Sequence, residues 1–170
     1  MAKKTSLRDF QAYLAERLTS AAQGRAASSW LGVQAGEALW LIDLADSGEI
    51  IQAPKLTQVP LTRPWFAGIA NIRGNLHAVA DFSMFCGGGP TARNNNARLL
   101  LVGTRHGANA SLLVSRMQGL KSPNDFTPEA VDPAAVPWEI ARFSDSQGRI
   151  WRKLSVRALL DDHDFMNIGV

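Results

Sequence analysis

The 170 residues are 46% hydrophobic and 19% charged, a balance that suits one soluble globular domain, or two small halves sharing a core, and excludes disorder, collagen and coiled coil. A chain of this length buries roughly 70% of the surface its unfolded form exposes, so packing can hold it without disulfide or metal. Cys86 is the only cysteine, which excludes an intramolecular disulfide and a multi-cysteine zinc site and suits a reducing, cytoplasmic setting.

The net charge of +3 is unevenly spread. Residues 1–25 carry 5 basic and 2 acidic side chains, 26–54 carry 4 acidic and none basic, 55–121 carry 8 basic and 1 acidic, and 122–170 carry 5 basic and 8 acidic. Such a pattern either steers acidic partners to a basic middle or, more simply, lets the segments neutralise one another in the fold. Lys3, Lys4, Arg8 and Asp9 precede mixed residues, not an apolar stretch of about 7–15, so no secretory signal is expected. The longest apolar runs, Ala38 to Ile42 and Leu99 to Val102, fall far short of the roughly 20 residues of a membrane span and read as buried strands.

From Ser6 to Gln23, Leu7, Phe10, Leu14, Leu18 and Ala21 recur every three or four residues with Asp9, Glu16 and Arg17 between them, the pattern of an amphipathic helix. Ser6 suits its N-cap and Gly24 its end. Residues 1–28 are thus expected to form a helix and linker ahead of a domain at 29–170.

After Ser28 short apolar segments cut by Gly, Pro, Asn and Asp predict an all-β domain. Trp30 to Gln34 and Ala38 to Leu44 flank Ala35-Gly36-Glu37 as a hairpin. Glu49 to Gln52, Leu56 to Val59 and Ile69 to Arg73 read as further strands, with Pro54, Pro60 and Pro64 at their margins. Leu76 to Ala80 follows a turn at Gly74-Asn75. The run CGGGPTARNNN, from Cys86 to Asn96, predicts a mobile surface loop that divides the domain. Beyond it, Arg98 to Thr104 pairs with Ala110 to Ser115 and Ala141 to Ser144 with Arg149 to Leu154, before a closing helix over Leu154 to Leu160. The expectation is a mainly β fold of two small SH3-like or OB-like barrels side by side, the first over about 29–85, a loop at 86–97 and the second over about 98–160.

Reactive constellations fail on specific grounds, so no catalytic residue, metal or cofactor is assigned. Gly87-Gly88-Gly89 lacks the lysine and hydroxyl of a phosphate-binding loop, and no G-x-S-x-G, H-E-x-x-H or C-x-x-C occurs. Asp161, Asp162, His163 and Asp164 are adjacent, and adjacent helical residues point apart, so they read as a solvated helix end. His77 falls in a strand and His106 in a turn, where each reads as structural or exposed. Trp30, Trp40, Trp65, Trp138 and Trp151 would suit a stacking platform for single-stranded nucleic acid, but they lie inside apolar segments where core packing is the ordinary role. A nucleic-acid-binding barrel is the rival reading.

The stretch Pro60 to Phe85, PLTRPWFAGIANIRGNLHAVADFSMF, is the most informative. Gly68 and Gly74 permit backbone that side chains block, and Arg73 stands directly before a turn. Gly68-Ile69-Ala70-Asn71-Ile72-Arg73-Gly74, followed by an apolar strand ending at Asp81-Phe82, resembles the central signature of CheW-like domains. The resemblance extends over about 29–165, and the ending Gly148-Arg149-Ile150-Trp151-Arg152-Lys153-Leu154 with Phe165-Met166-Asn167-Ile168 looks most like the branch of that family serving type IV pilus chemosensory systems. The chain departs from the family at Val114-Ser115-Arg116-Met117, where an acidic residue is common, and at His77, where a proline is usual.

The resemblance implies two small barrels, no catalysis, and an adaptor that couples the cytoplasmic tip of methyl-accepting chemoreceptors to the regulatory domain of a CheA-type histidine kinase. It also implies a cytoplasmic protein held peripherally at membrane receptor arrays, without inserting into the membrane or binding nucleic acid. By position it marks Ser47, Glu49, Gly68, Asn71, Arg73 and Gly74 as partner-binding candidates, with Arg73 donating to a partner's carboxylates or carbonyls. The competing role for Arg73 is an internal bond to Asp43, Glu49 or Asp81 that fixes the turn.

Overall fold

Strand-length apolar segments separated by glycine turns produce eleven short strands among the described residues of this computed structural model, which are 29–102 and 104–170. The helix expected over Ser6 to Gln23 lies outside them. Strands β1 (Trp30–Ala35) and β2 (Ala38–Asp43) form the expected hairpin, with Gly36 at φ 60° in its tight turn. A 3-10 turn, Leu44–Asp46, leads into β3 (Ser47–Gln52), and β4 (Phe66–Ile72) and β5 (Asn75–Asp81) make a second hairpin. Its turn is Arg73-Gly74, one residue earlier than the sequence suggests, because Ile72 pairs with Asn75. Leu56 to Val59 does not form a strand: Thr57 makes a single antiparallel bridge to Ile69.

Helix α1 (Phe82–Phe85) follows, then β6 (Arg98–Val102), β7 (Ala110–Val114), β8 (Arg116–Lys121), β9 (Thr127–Glu129), β10 (Glu139–Ser144), β11 (Ile150–Leu154) and the short helices α2 (Val156–Leu160) and α3 (His163–Met166). The Ser155 hydroxyl caps α2 by accepting from the Ala158 amide.

The strands assemble into a six-stranded sheet, β8-β1-β2-β11-β10-β9, and a five-stranded sheet, β3-β6-β7-β5-β4. This corrects the expected split at residues 86–97. The first hairpin belongs with the last one, since β2 pairs in parallel with β11 through Trp151 opposite Leu39 and Leu154 opposite Ile42, while β6 and β7 join the strands that precede the loop. Periodicity marks strands but not their partners, and the parallel pairing of β2 with β11 has no local sequence signal.

The segment after α1 is a surface loop, exposed at 87–90 and 92–96, but it is pinned at the buried Thr91. The Asp81 carboxylate, 5% exposed, accepts from the Thr91 amide (2.7 Å), the Thr91 hydroxyl (2.7 Å) and the Met84 amide (3.3 Å), so one side chain caps α1 and pins the glycine-rich run.

Alternation along β6 and β7 divides the apolar interior. Leu100, Val102, Leu112 and Val114 join Leu31, Val33, Trp40, Ile42, Trp138 and Leu154 in a core shared by the two sheets and α2, while Leu99, Leu101 and Leu113 pack with Ala70, Ile72 and Val79 within the five-stranded sheet. Trp40, Trp138 and Trp151 are buried, and Trp40 contacts both Phe82 and Trp138. Core packing is therefore what these tryptophans do. Cys86, half-buried at the end of α1, packs against the same core, and burial pushes its thiol up to about 12.

Candidate partner-binding site

Arg73 and Gly74 are the two central residues of the β4–β5 turn, with φ 53° and 84°. Positive φ at both positions is the type I′ geometry whose twist matches a hairpin, and glycine at the second position costs no steric strain. Asn71 secures the turn, its Oδ1 accepting from the Gly74 amide at 2.9 Å. A non-glycine residue in the left-handed region is uncommon, and here it holds an arginine at the tip of a hairpin.

The Arg73 guanidinium donates to Glu49 Oε1 on β3. The side chains are 73% and 39% exposed, so this is a surface pair, and the bond to Glu49 raises the arginine's already high pKa. Glu49 lies where the β3–β6 register slips between Ser47, opposite Val102, and Ile50, opposite Leu100. Such an irregularity re-aims a side chain away from the regular pleat. Strands β3 and β4 are the two edges of the five-stranded sheet, and the pair joins the first edge to the turn that ends the second.

The structure thus brings Glu49, Asn71, Arg73 and Gly74 together, with Ser47 two residues before Glu49 on the same strand. Gly68 is apart from them. It is buried in β4 at φ 130°, and a Cβ there would stand 2.4 Å from the Thr57 carbonyl oxygen, which accepts from the Ile69 amide at 2.8 Å. Its lack of a side chain lets the 57 segment close on the sheet.

Sequence reasoning missed Leu76, directly opposite Asn71 in the hairpin and 60% exposed. It places apolar surface beside the arginine pair, the combination of apolar centre and polar rim found at protein interfaces. The sequence carries no signal for it: Leu76 heads an apolar strand like any other, and only the structure shows Asn75, Leu76 and Ala78 exposed before burial begins at Val79. His106, read as structural or exposed, is structural, its buried ring 2.9 Å from the buried Asp46, which Arg105 also pairs. Asp162 caps α3 by accepting from the Phe165 amide, and no group of three metal-ligating side chains occurs among the described residues.

The model of the CheW-like domain matches residues 29–164. Protein PilI of Pseudomonas aeruginosa is 28% identical over 155 residues, which are 88% of this chain and 85% of that protein. The crystal structure of the scaffolding protein TtCheW from Thermoanaerobacter tengcongensis superposes with a TM-score of 0.65 at 19% identity, covering 81% of this chain and 94% of that one, a likeness of fold. With the signature turn, the paired sheets and a family match over most of its length, the chain belongs to the CheW-like domain family.

Proposed function

We propose that this protein is a non-catalytic adaptor that couples methyl-accepting chemoreceptors to a CheA-type histidine kinase in the control of type IV pilus motility. Family membership supports the adaptor role, and the similarity to PilI supports the pilus system. The observation that carries the reading is the display of Arg73 on a hydrogen-bonded hairpin tip beside exposed Leu76, a rigid surface for a partner. In this role Arg73 offers donors that Glu49 leaves unused, Asn71 and Gly74 hold the turn, and Ser47 extends the polar rim. No helix among the described residues is long and apolar enough to cross a membrane.

The test is affinity capture from the source cell's lysate with the purified protein and its Arg73→Glu variant, followed by titration of the captured kinase. The expected result is a histidine kinase or chemoreceptor retained at roughly micromolar affinity and weakened about tenfold by the charge reversal. Retention of nucleic acid alone, released by moderate salt, would overturn the reading.

A further inference from the structure

The basic stretch 55–121 carries eight cations and a single carboxylate, Asp81. Half of the cations are satisfied inside the fold. Arg73 and Arg105 pair with Glu49 and Asp46 of the acidic stretch before it, Arg98 donates to the Asn95 and Ala97 carbonyls, and Lys121 lies over the Trp151 ring. Lys55, Arg63, Arg93 and Arg116 have no side-chain partner among the described residues. Two of these, Arg63 and Arg93, line one cleft of about 400 Å³, a volume within the roughly 300–1,000 Å³ of small-molecule sites.

The cleft lies between the segment 58–64 and the loop at 90–93, with Phe66, Met84 and Leu113 as its apolar lining. Both walls are fixed to the fold. Thr57 exchanges backbone bonds with Ile69, the Thr62 hydroxyl donates to the Val59 carbonyl at 2.8 Å, and the Arg63 amide donates to the Ile168 carbonyl at 2.8 Å. On the other side Thr91, two residues before Arg93, is held by Asp81. Backbone that is already fixed lowers the cost of binding. Asp81 also lines the cleft, but its oxygens accept from Thr91 and Met84 and pair with neither arginine, so two cations stand against one anion. Each guanidinium offers a planar fork of N–H donors. Two forks, with the unbonded Gln58 amide beside them, exceed what the two oxygens of a carboxylate accept and suit the three outer oxygens of a phosphate group.

We propose that this cleft binds a small phosphorylated molecule, with Arg63, Arg93 and Gln58 holding its phosphate group and Phe66, Met84 and Leu113 receiving its carbon frame. The site opens where β4 begins and β5 ends, so it lies at the opposite end of the hairpin from Arg73, about 20 Å away along the strands. A bound phosphate ties the 58–64 segment to the 90–93 loop and stabilises the folded chain by mass action.

The test is a titration of the full chain with glycerol 3-phosphate, followed by amide and arginine Nε–H NMR signals, with succinate as a dianion that has no phosphate. The expected result is saturable shifts at Gln58, Arg63, Thr91 and Arg93, with a dissociation constant of about 1 mM or tighter. Succinate should bind at least about fivefold more weakly, and Arg63→Gln and Arg93→Gln should each weaken glycerol 3-phosphate at least about fivefold. Arg116→Gln, which removes an unpaired cation elsewhere, should change nothing. Both arginines are exposed, and unshifted signals outside the cleft show that each variant keeps its fold. No saturation by about 10 mM, shifts as large at Lys55 and Arg116 as at Arg63 and Arg93, equal binding of succinate, or indifference to either arginine substitution would each overturn the proposal.

Discussion

Two carboxylates of the five-stranded sheet, Asp81 at the end of β5 and Glu49 in β3, have opposite surroundings. Asp81 is buried and accepts three hydrogen bonds from its own chain, whereas Glu49 faces water and shares Arg73 across the sheet edges. Removing a buried acceptor strands its donors, while an exposed ion pair is screened by water and salt and adds little to stability. One carboxylate therefore builds the fold and the other dresses its surface, although both lie within the stretch that resembles the family. Resemblance alone does not separate the two roles; burial does.

The largest effect is expected at the buried end of this contrast. Asp81→Ala leaves the Thr91 amide and hydroxyl without their acceptor and uncaps α1, which should cost roughly 3 kcal/mol and lower the melting temperature by about 10 °C. Kinase affinity measured on the folded protein should stay within about twofold. A stable variant that no longer binds would erase the distinction between Asp81 and Glu49.

Gly68 belongs with Asp81 in spite of its place in the signature. Gly68→Ala forces a Cβ against the Thr57 carbonyl at a φ of 130°, and about 2 kcal/mol of stability should be lost, seen as a melting point lower by about 5 °C. The same melt paired with a binding titration tells whether the glycine shapes the sheet or touches a partner. Loss of affinity with an unchanged melt would move Gly68 to the surface class.

Asp145, in the β10–β11 turn, stands between the extremes. Burial alone would raise its pKa, but hydrogen bonds from Trp151 Nε1, the Arg149 amide and guanidinium and the Gln147 amide outweigh this and hold it at about 2, below the usual 3.8. A depressed native pKa stabilises the fold above the unfolded value and is lost as pH falls, so the contribution should fade between about pH 4 and pH 2. Melting curves across that window should drop by a few °C more for the wild type than for Asp145→Asn. Parallel curves would mean that the turn does not respond to its carboxylate.

Much of this was legible in the sequence where one face or one turn decides the outcome. The β1–β2 hairpin follows from apolar strands around Gly36, the Leu99 to Val102 run from a strand buried on both faces, and the buried tryptophans from their apolar neighbours. Long-range partners were not legible. Nothing near Trp40 announces β11, and nothing in CGGGPTARNNN announces that Thr91 reaches back to Asp81. The short, wholly exposed β9 has no apolar face to reveal it and is held by pairing with β10. At the site, the hairpin-tip arginine was visible from its glycine, but its partner could have been Asp43, Glu49 or Asp81; the register slip in β3 selects Glu49, Asp43 bonds Lys153, and Asp81 is occupied by Thr91.

The smallest effect on stability, and the sharpest on function, is expected at Arg73. Charge reversal sets a carboxylate beside Glu49 and so mixes lost contacts with new repulsion. Arg73→Asn avoids this, because asparagine tolerates the left-handed backbone that Arg73 occupies at φ 53° and favours the first central position of a type I′ turn. The hairpin should keep or slightly raise its melting temperature while the displayed guanidinium is gone. If the arginine serves a partner, kinase affinity should fall nearly as far as in Arg73→Glu. If its work is the internal bond to Glu49, affinity should survive in Arg73→Asn, because the turn is held by Asn71 and Gly74 without it. Comparing the two variants therefore separates a side chain that fixes the turn from one that the turn exists to display.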